Sequence, residues 1–255
     1  MEVKQHLEPK LKRLRLSGIL DTLEVRNQQA IAEQWAYTEF LERLLEDEVE
    51  RRAQKQLAQR LRRANLASEK TLEAFDFKAT PTINRQQVYD LSTCNFIREH
   101  RNVLLCGPTG VGKSHISQGL AHAACRAGFD VVFTTADKLL RNLRAARADE
   151  SYERRMATYL RPDLLVIDDF GLKPLVPPGP EDFYDVISGR YEKRSILLTS
   201  NRAPNEWATA FNDPLLASAG LDRLVHNAHV LLITGASYRT RGNDLLEQEV
   251  FLSKN

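Results

Sequence analysis

Val103-Leu104-Leu105-Cys106-Gly107-Pro108-Thr109-Gly110-Val111-Gly112-Lys113-Ser114 is the stretch that decides the fold. Four apolar residues run directly into a complete Gly-x-x-x-x-Gly-Lys-Ser loop, and a helix-compatible segment opening with His115 follows. Buried strand, loop, then helix is the setting in which such a loop binds phosphate. Its glycines let the backbone curl until successive N–H groups point at phosphate oxygens, and the helix N-terminus adds positive potential there. Gly107, Pro108, Thr109, Gly110, Val111 and Gly112 are therefore expected to cradle a triphosphate. Lys113 would reach the β- and γ-phosphates, and the Ser114 hydroxyl would ligate magnesium. His115 stands beside them, either packing or supporting the site from behind. The chemistry implied is ATP with Mg2+. A chance glycine-rich turn would carry neither flank.

Further along, Leu164-Leu165-Val166-Ile167-Asp168-Asp169 ends a second apolar run in two carboxylates. In an open α/β sheet the carboxyl ends of the strands border the ligand crevice. Asp168 would hold the metal through water. Asp169 either polarises the attacking water or caps the loop before Gly171. A third run, Ile196–Leu198, leads into Thr199-Ser200-Asn201. Asn201 is a turn residue when read alone, but beside the acid pair its amide would orient the nucleophilic water.

Two more runs, Val131–Phe133 and Val230–Ile233, bring the number of apolar segments to five. Continuous rather than alternating apolar runs indicate strands buried on both faces. The expected fold is α/β, a P-loop core with a five-stranded parallel sheet. Trp35 and Trp207 read as core anchors, and Phe75 and Phe77 either border the adenine or cover the domain edge.

Residues 1–68 contrast with this. They are polar and helical in pattern and form a small all-helical N-terminal domain ahead of a core spanning 69–255. Between Thr38 and Asn65 the apolar residues Leu41, Leu45, Val49, Ala53, Leu57 and Leu61 recur every fourth position, which reads as one stripe along a helix. Acids precede bases along it, a pattern that suits either the helix dipole or a nucleic-acid contact.

The bulk composition excludes several classes. The formal net charge of +2 over 255 residues leaves any attraction to nucleic acid to local clusters. Cys94, Cys106 and Cys125 have no metal-ligand spacing and no disulfide framework. No apolar stretch is long enough to span a bilayer, so a cytoplasmic setting without membrane partners is expected. One local cluster does appear. The segment Ala136–Arg161 exceeds what a crossover needs, and Lys138, Arg141, Arg144 and Arg147 fall on the arc left by Leu139, Leu140, Leu143 and Ala146. That arc is either a DNA-binding face or a solvated helix surface.

Gly112-Lys113-Ser114-His115, the run DLLVIDDFG at Asp163–Gly171, Arg190-Tyr191-Glu192, Thr199-Ser200-Asn201 and Gly235-Ala236-Ser237-Tyr238-Arg239 resemble the IstB-type transposition helper ATPases. These are AAA+ relatives of the DnaC helicase loaders and DnaA initiators. The likeness covers residues 70–240 well and the N-terminal segment loosely. It implies a AAA+ core, hydrolysis of ATP with magnesium, and homo-oligomers on double-stranded DNA with ATP sites between subunits. It further implies cooperation with the transposase of the same element. By the same resemblance Arg223 matches an arginine finger, and Arg239 a nucleotide-sensing position. Two departures stand out. The tail after Ile233 is too short for the usual helical lid, and Asp169 replaces the usual glutamate, so hydrolysis would be slow or assembly-dependent. A DnaC-like helicase loader is the alternative, and a P-loop metabolite kinase a more distant one.

Overall fold

In a computed structural model that describes residues 2–211, 213–235, 237 and 238, the chain forms two compact units, one up to Gln59 and one from Arg60 onward. The sequence pattern put the domain boundary at residue 68. Helix α3 runs unbroken through the division of the two units.

The first unit comprises α1 (Glu2–Arg13), α2 (Ser17–Glu33) and most of α3 (Tyr37–Ala64). Leu16 precedes α2 and has no side chain able to cap it. The cap comes from a distance: Glu48 of α3 accepts the Gly18 N–H at 2.6 Å and the Ile19 N–H at 3.4 Å, and Arg52 donates to it at 2.7 Å. A carboxylate on buried helix-start amides suits both their missing helical partners and the dipole. Position 18 must be glycine for this approach, since a Cβ there would lie 2.7 Å from the Glu48 Cα. Arg26 adds a two-pronged pair with Asp47, at 2.9 and 2.7 Å.

The every-fourth stripe of α3 is not its buried face. Leu41, Leu45 and Val49 are 54%, 49% and 67% exposed, whereas Leu44 and Glu48 are buried. At 3.6 residues per turn, each four-residue step advances about 40°, so such a line winds around the helix instead of facing one neighbour. Trp35 is likewise no core anchor: half-buried, it donates to Glu33 at 2.8 Å and lies under Arg43.

The second unit begins with turns and two short helices, α4 (Arg85–Ser92) and α5 (Asn95–Arg98). There follow β1 (Val103–Cys106), α6 (Lys113–Arg126), β2 (Val131–Thr135), α7 (Ala136–Ala148), α8 (Tyr152–Leu160) and β3 (Leu164–Phe170). Next come α9 (Gly179–Arg190), β4 (Ser195–Ser200), a 3-10 turn (Pro204–Ala210), α10 (Pro214–Val225) and β5 (His229–Leu232). All pairings are parallel, in the order β2-β3-β4-β1-β5, so the five-stranded parallel sheet read from the sequence is present. From β1 the chain crosses to the far edge, returns through β3 and β4, and ends on the other flank of β1. Strand order therefore reverses at β1, the place where open α/β sheets bind ligands.

β1 and β4 are buried along their whole length. Leu104, Leu165, Ile167, Ile196 and Leu198 pack with side chains of α7 to α10, including Leu139, Leu143, Phe183 and Leu224. Pleat alternation gives the intervening residues to the opposite face. Trp207 is a core residue as expected, its indole N–H donating to Ser200 Oγ at 3.0 Å.

The segment between β2 and β3 is a helical pair. Leu139, Leu143 and Ala146 of α7 are buried, as the periodicity of the insert indicated, with Leu140 only partly so; Met156 and Tyr159 of α8 are buried too. Lys138, Arg141 and Arg144 are exposed. Arg147 is exposed as well, but its guanidinium is engaged, bridging to the buried Asp182 of α9 and lying 4.2 Å from the Tyr152 ring centroid. Tyr152 donates to the same carboxylate oxygen at 2.8 Å. A surface pattern cannot show which of four bases meets a buried acid 35 residues away.

Candidate functional site

The loop after β1 is held from both neighbouring strands where it begins. The Gly107 N–H donates to Ser200 O at 3.1 Å, and the Ile233 N–H donates to Cys106 O at 2.7 Å. Gly112 closes the turn at φ +93°, and an added Cβ would lie 2.7 Å from the Phe75 ring, so glycine is required twice over there. Helix α6 starts at once with Lys113, aiming its first-turn amides and dipole at the loop. Val111 is buried and anchors the turn from below.

Lys113 is 5% exposed. Its ammonium donates to Gly107 O at 2.8 Å, Pro108 O at 2.7 Å and Asn201 Oδ1 at 2.7 Å. The amide at the end of β4 thus touches the loop lysine directly, a link that strand reading alone does not give. Beside it, Ser114 Oγ donates to Asp168 Oδ1 at 3.0 Å. A hydroxyl and a carboxylate at that spacing form a set of hard oxygen donors of the kind magnesium takes. Asp168 is buried, and a second hydroxyl, that of Thr199, donates to the same oxygen.

Asp169 is exposed and adopts φ +59°. A left-handed conformation in a non-glycine residue costs about 1 kcal/mol or more and persists only where neighbours enforce it. The sheet register explains it. Ile167 pairs with Leu198 and Phe170 with Ser200, so Asp168 and Asp169 together oppose the single residue Thr199. This is a β-bulge, which re-aims side chains at the end of a strand.

A cleft of about 450 Å³ brings these groups together. Thr109, Gly110, Gly112, Lys113, Ser114 and His115 line it from the loop, facing Asp169 and Asn201. Phe75 and Tyr238 line it too, as does Lys70, which no motif marked. Phe75 meets His115 edge to face at 5.1 Å, and His115 Nε2 is 2.8 Å from Thr71 O. Of the two phenylalanines only Phe75 borders the cleft; Phe77 stacks on Tyr89. Asp168 lies beneath the wall, reached through Ser114.

Arg223 is elsewhere. On α10 its guanidinium donates to Tyr184 OH at 2.6 Å and lies 5.2 Å from that ring's centroid, with Tyr191 at 6.0 Å. It does not line the cleft of its own chain. Arg239 and the tail beyond it lie outside the described residues.

With this geometry in view, the model of the IstB-like ATP-binding proteins matches residues 9–245. The chain belongs to that family. Relatives span most of it. A Mycobacterium tuberculosis protein named for ATP binding in an insertion sequence is 40% identical, covering 91% of this chain and 92% of its own. The corresponding protein of insertion sequence IS21 from Pseudomonas aeruginosa is 37% identical, over 92% and 89%. Among solved structures, a DnaA initiator bound to AMPPCP and single-stranded DNA aligns with a TM-score of 0.54 at 21% identity. That alignment covers 72% of this chain and about half, 55%, of the DnaA chain. The DnaC helicase loader aligns with a TM-score of 0.51 at 19% identity, covering 58% and 86%. These likenesses give the IstB-like chain a AAA+ fold, and family membership makes it an ATP-binding protein. Among the described residues no helix is long and apolar enough to cross a membrane.

Proposed function

We propose that this chain is a magnesium-dependent ATPase that assembles on double-stranded DNA and assists the transposase of an insertion sequence. The observation that carries the nucleotide half is the Ser114–Asp168 contact at 3.0 Å, set beside a lysine gathered on the loop. Ser114 and Asp168 would hold magnesium, which supplies charge neutralisation at the phosphates when bound. Lys113 exchanges its carbonyl partners for phosphate oxygens. Asp169, aimed by the bulge, orients and polarises water. Asn201 steers the lysine and stands where it can also touch that water.

Support for the DNA half comes from the insertion-sequence relatives, which favour a transposition role over helicase loading, and from the insert. Lys138, Arg141 and Arg144 offer a basic edge on α7. Arg141 is lightly held by Asp137 one turn earlier, at 3.0 Å, and Arg144 by the carbonyls of Val176 and Pro177. Such contacts read no sequence, and each neutralised phosphate contributes about −0.9 to the log–log salt slope. Arg223 lies away from its own cleft and would complete the site of a neighbouring subunit, so homo-oligomers carry the activity. The helical segment 1–68 acts as a separate domain.

Sizing the protein with and without ATP, magnesium and duplex DNA tests the whole reading. Wild type should form a larger species only with all three. Lys113→Ala should bind neither nucleotide nor, in its presence, DNA; normal assembly by this variant would refute the coupling.

A further inference from the structure

Thr199 donates to Asp168, and its position allows more. Its side chain is fully buried at the carboxyl end of β4, opposite the two-residue bulge of β3. A hydroxyl carries one proton and two lone pairs. The proton goes to Asp168 Oδ1, and a lone pair accepts the Asp169 N–H at 3.0 Å. One side-chain atom therefore touches the carboxylate of Asp168 and the backbone of Asp169. The Asp169 N–H sits where the ladder skips a residue, and a side-chain oxygen takes it. Ser200 acts similarly one step on, donating to Phe170 O at 2.8 Å.

We propose that Thr199 is a positioning residue for ATP hydrolysis. Its hydroxyl sets the Asp168 carboxylate for the metal and holds Asp169 in the left-handed conformation that aims it into the cleft. This rests on the nucleotide-site reading above and deepens it. The Thr199-Ser200-Asn201 triplet then has three separate tasks. Thr199 sets the acids, Ser200 closes the bulge, and Asn201 orients Lys113. The Thr199 side chain is closed to solvent.

The test compares Thr199→Val, which keeps the shape and removes the hydroxyl, with Thr199→Ser, which keeps the hydroxyl. Binding of a fluorescent ATP analogue is titrated at several magnesium concentrations, and turnover is measured with duplex DNA present. Thr199→Val should bind the analogue without magnesium as wild type does. It should need several-fold more magnesium for half-maximal effect and turn over at least tenfold more slowly. Thr199→Ser should restore both. A merely structural role would leave the magnesium requirement unchanged. If Thr199→Val matches wild type in magnesium requirement and turnover, the proposal is overturned. Should that variant melt below the assay temperature, Thr199→Cys, with a poor donor of similar size, is judged by the same criteria. Absence of any magnesium effect in wild type would instead remove the nucleotide-site reading itself, so the two failures are distinguishable.

Discussion

At the scale of single residues, the chain places a strained acid beside a relaxed one. Asp168 is buried and met by two hydroxyls; Asp169 is exposed, left-handed and one atom shorter than a glutamate would be. If Asp169 polarises water, Asp169→Asn keeps the side-chain size and removes the base. Turnover should fall about 10²- to 10⁴-fold, the usual contribution of a positioned base, while ATP affinity stays within a fewfold. Steady-state hydrolysis beside equilibrium binding decides it, and unchanged turnover would return Asp169 to a loop-capping role. Much of this site was legible because loop, acids and amide are contiguous motifs, each at the end of an apolar run. Thr199 was not. Its task depends on a bulge that shifts register between β3 and β4, and no local pattern announces a skipped residue. Lys70 escaped notice for a similar reason: it arrives from a connector more than 30 residues away from the loop it covers. Phe75, from the same connector, was legible only as bordering the adenine or covering the domain edge.

At the scale of elements, the strands could be read and α3 could not. Burial on both faces leaves a strand no alternative to continuous apolar residues, so β1, β3 and β4 declare themselves. Helix α3 buries a glutamate, and that glutamate is intelligible only once the Gly18 and Ile19 amides are seen against it. The pairing has a pH signature. Arg26 hydrogen-bonds Asp47 and draws its carboxyl down to about 2, below its unfolded value of about 3.8. A depressed carboxylate stabilises the fold above its unfolded pKa, and that stabilisation fades as pH falls toward the folded one. Helicity of the N-terminal unit, followed by circular dichroism, should therefore begin to drop below about pH 4 and continue falling to about pH 2. Asp47→Asn should flatten that limb. A profile identical in the variant would assign the acid transition to other groups.

On the scale of the whole molecule, a cleft with no arginine among its described lining residues and an arginine standing apart from that cleft suggest division of labour between copies. Arg223, cradled by Tyr184 and Tyr191, is presented by α10 without reaching its own loop. Asp169→Asn retains ATP affinity and the arginine, and Arg223→Ala retains the loop and both acids, so each should hydrolyse ATP poorly alone. Mixed on DNA, they should recover a measurable share of wild-type turnover, because some sites pair an intact acid with an intact arginine. No recovery on mixing would place Arg223 outside the catalytic unit.

Helix α9 is fastened to the insert at both of its ends. Near its start, Asp182 binds Arg147 of α7 and Tyr152 of α8. At its last residue, the guanidinium of Arg190 spans the carbonyls of Tyr159, Leu160, Pro162 and Asp163 and that of Ser195 where β4 begins. Peeling the insert away would strand a carboxylate and a guanidinium inside the protein, a penalty of several kcal/mol. The two helices therefore behave as a rigid tooth. A load applied to the tip is borne by the sheet instead of being dissipated in a flexing arm.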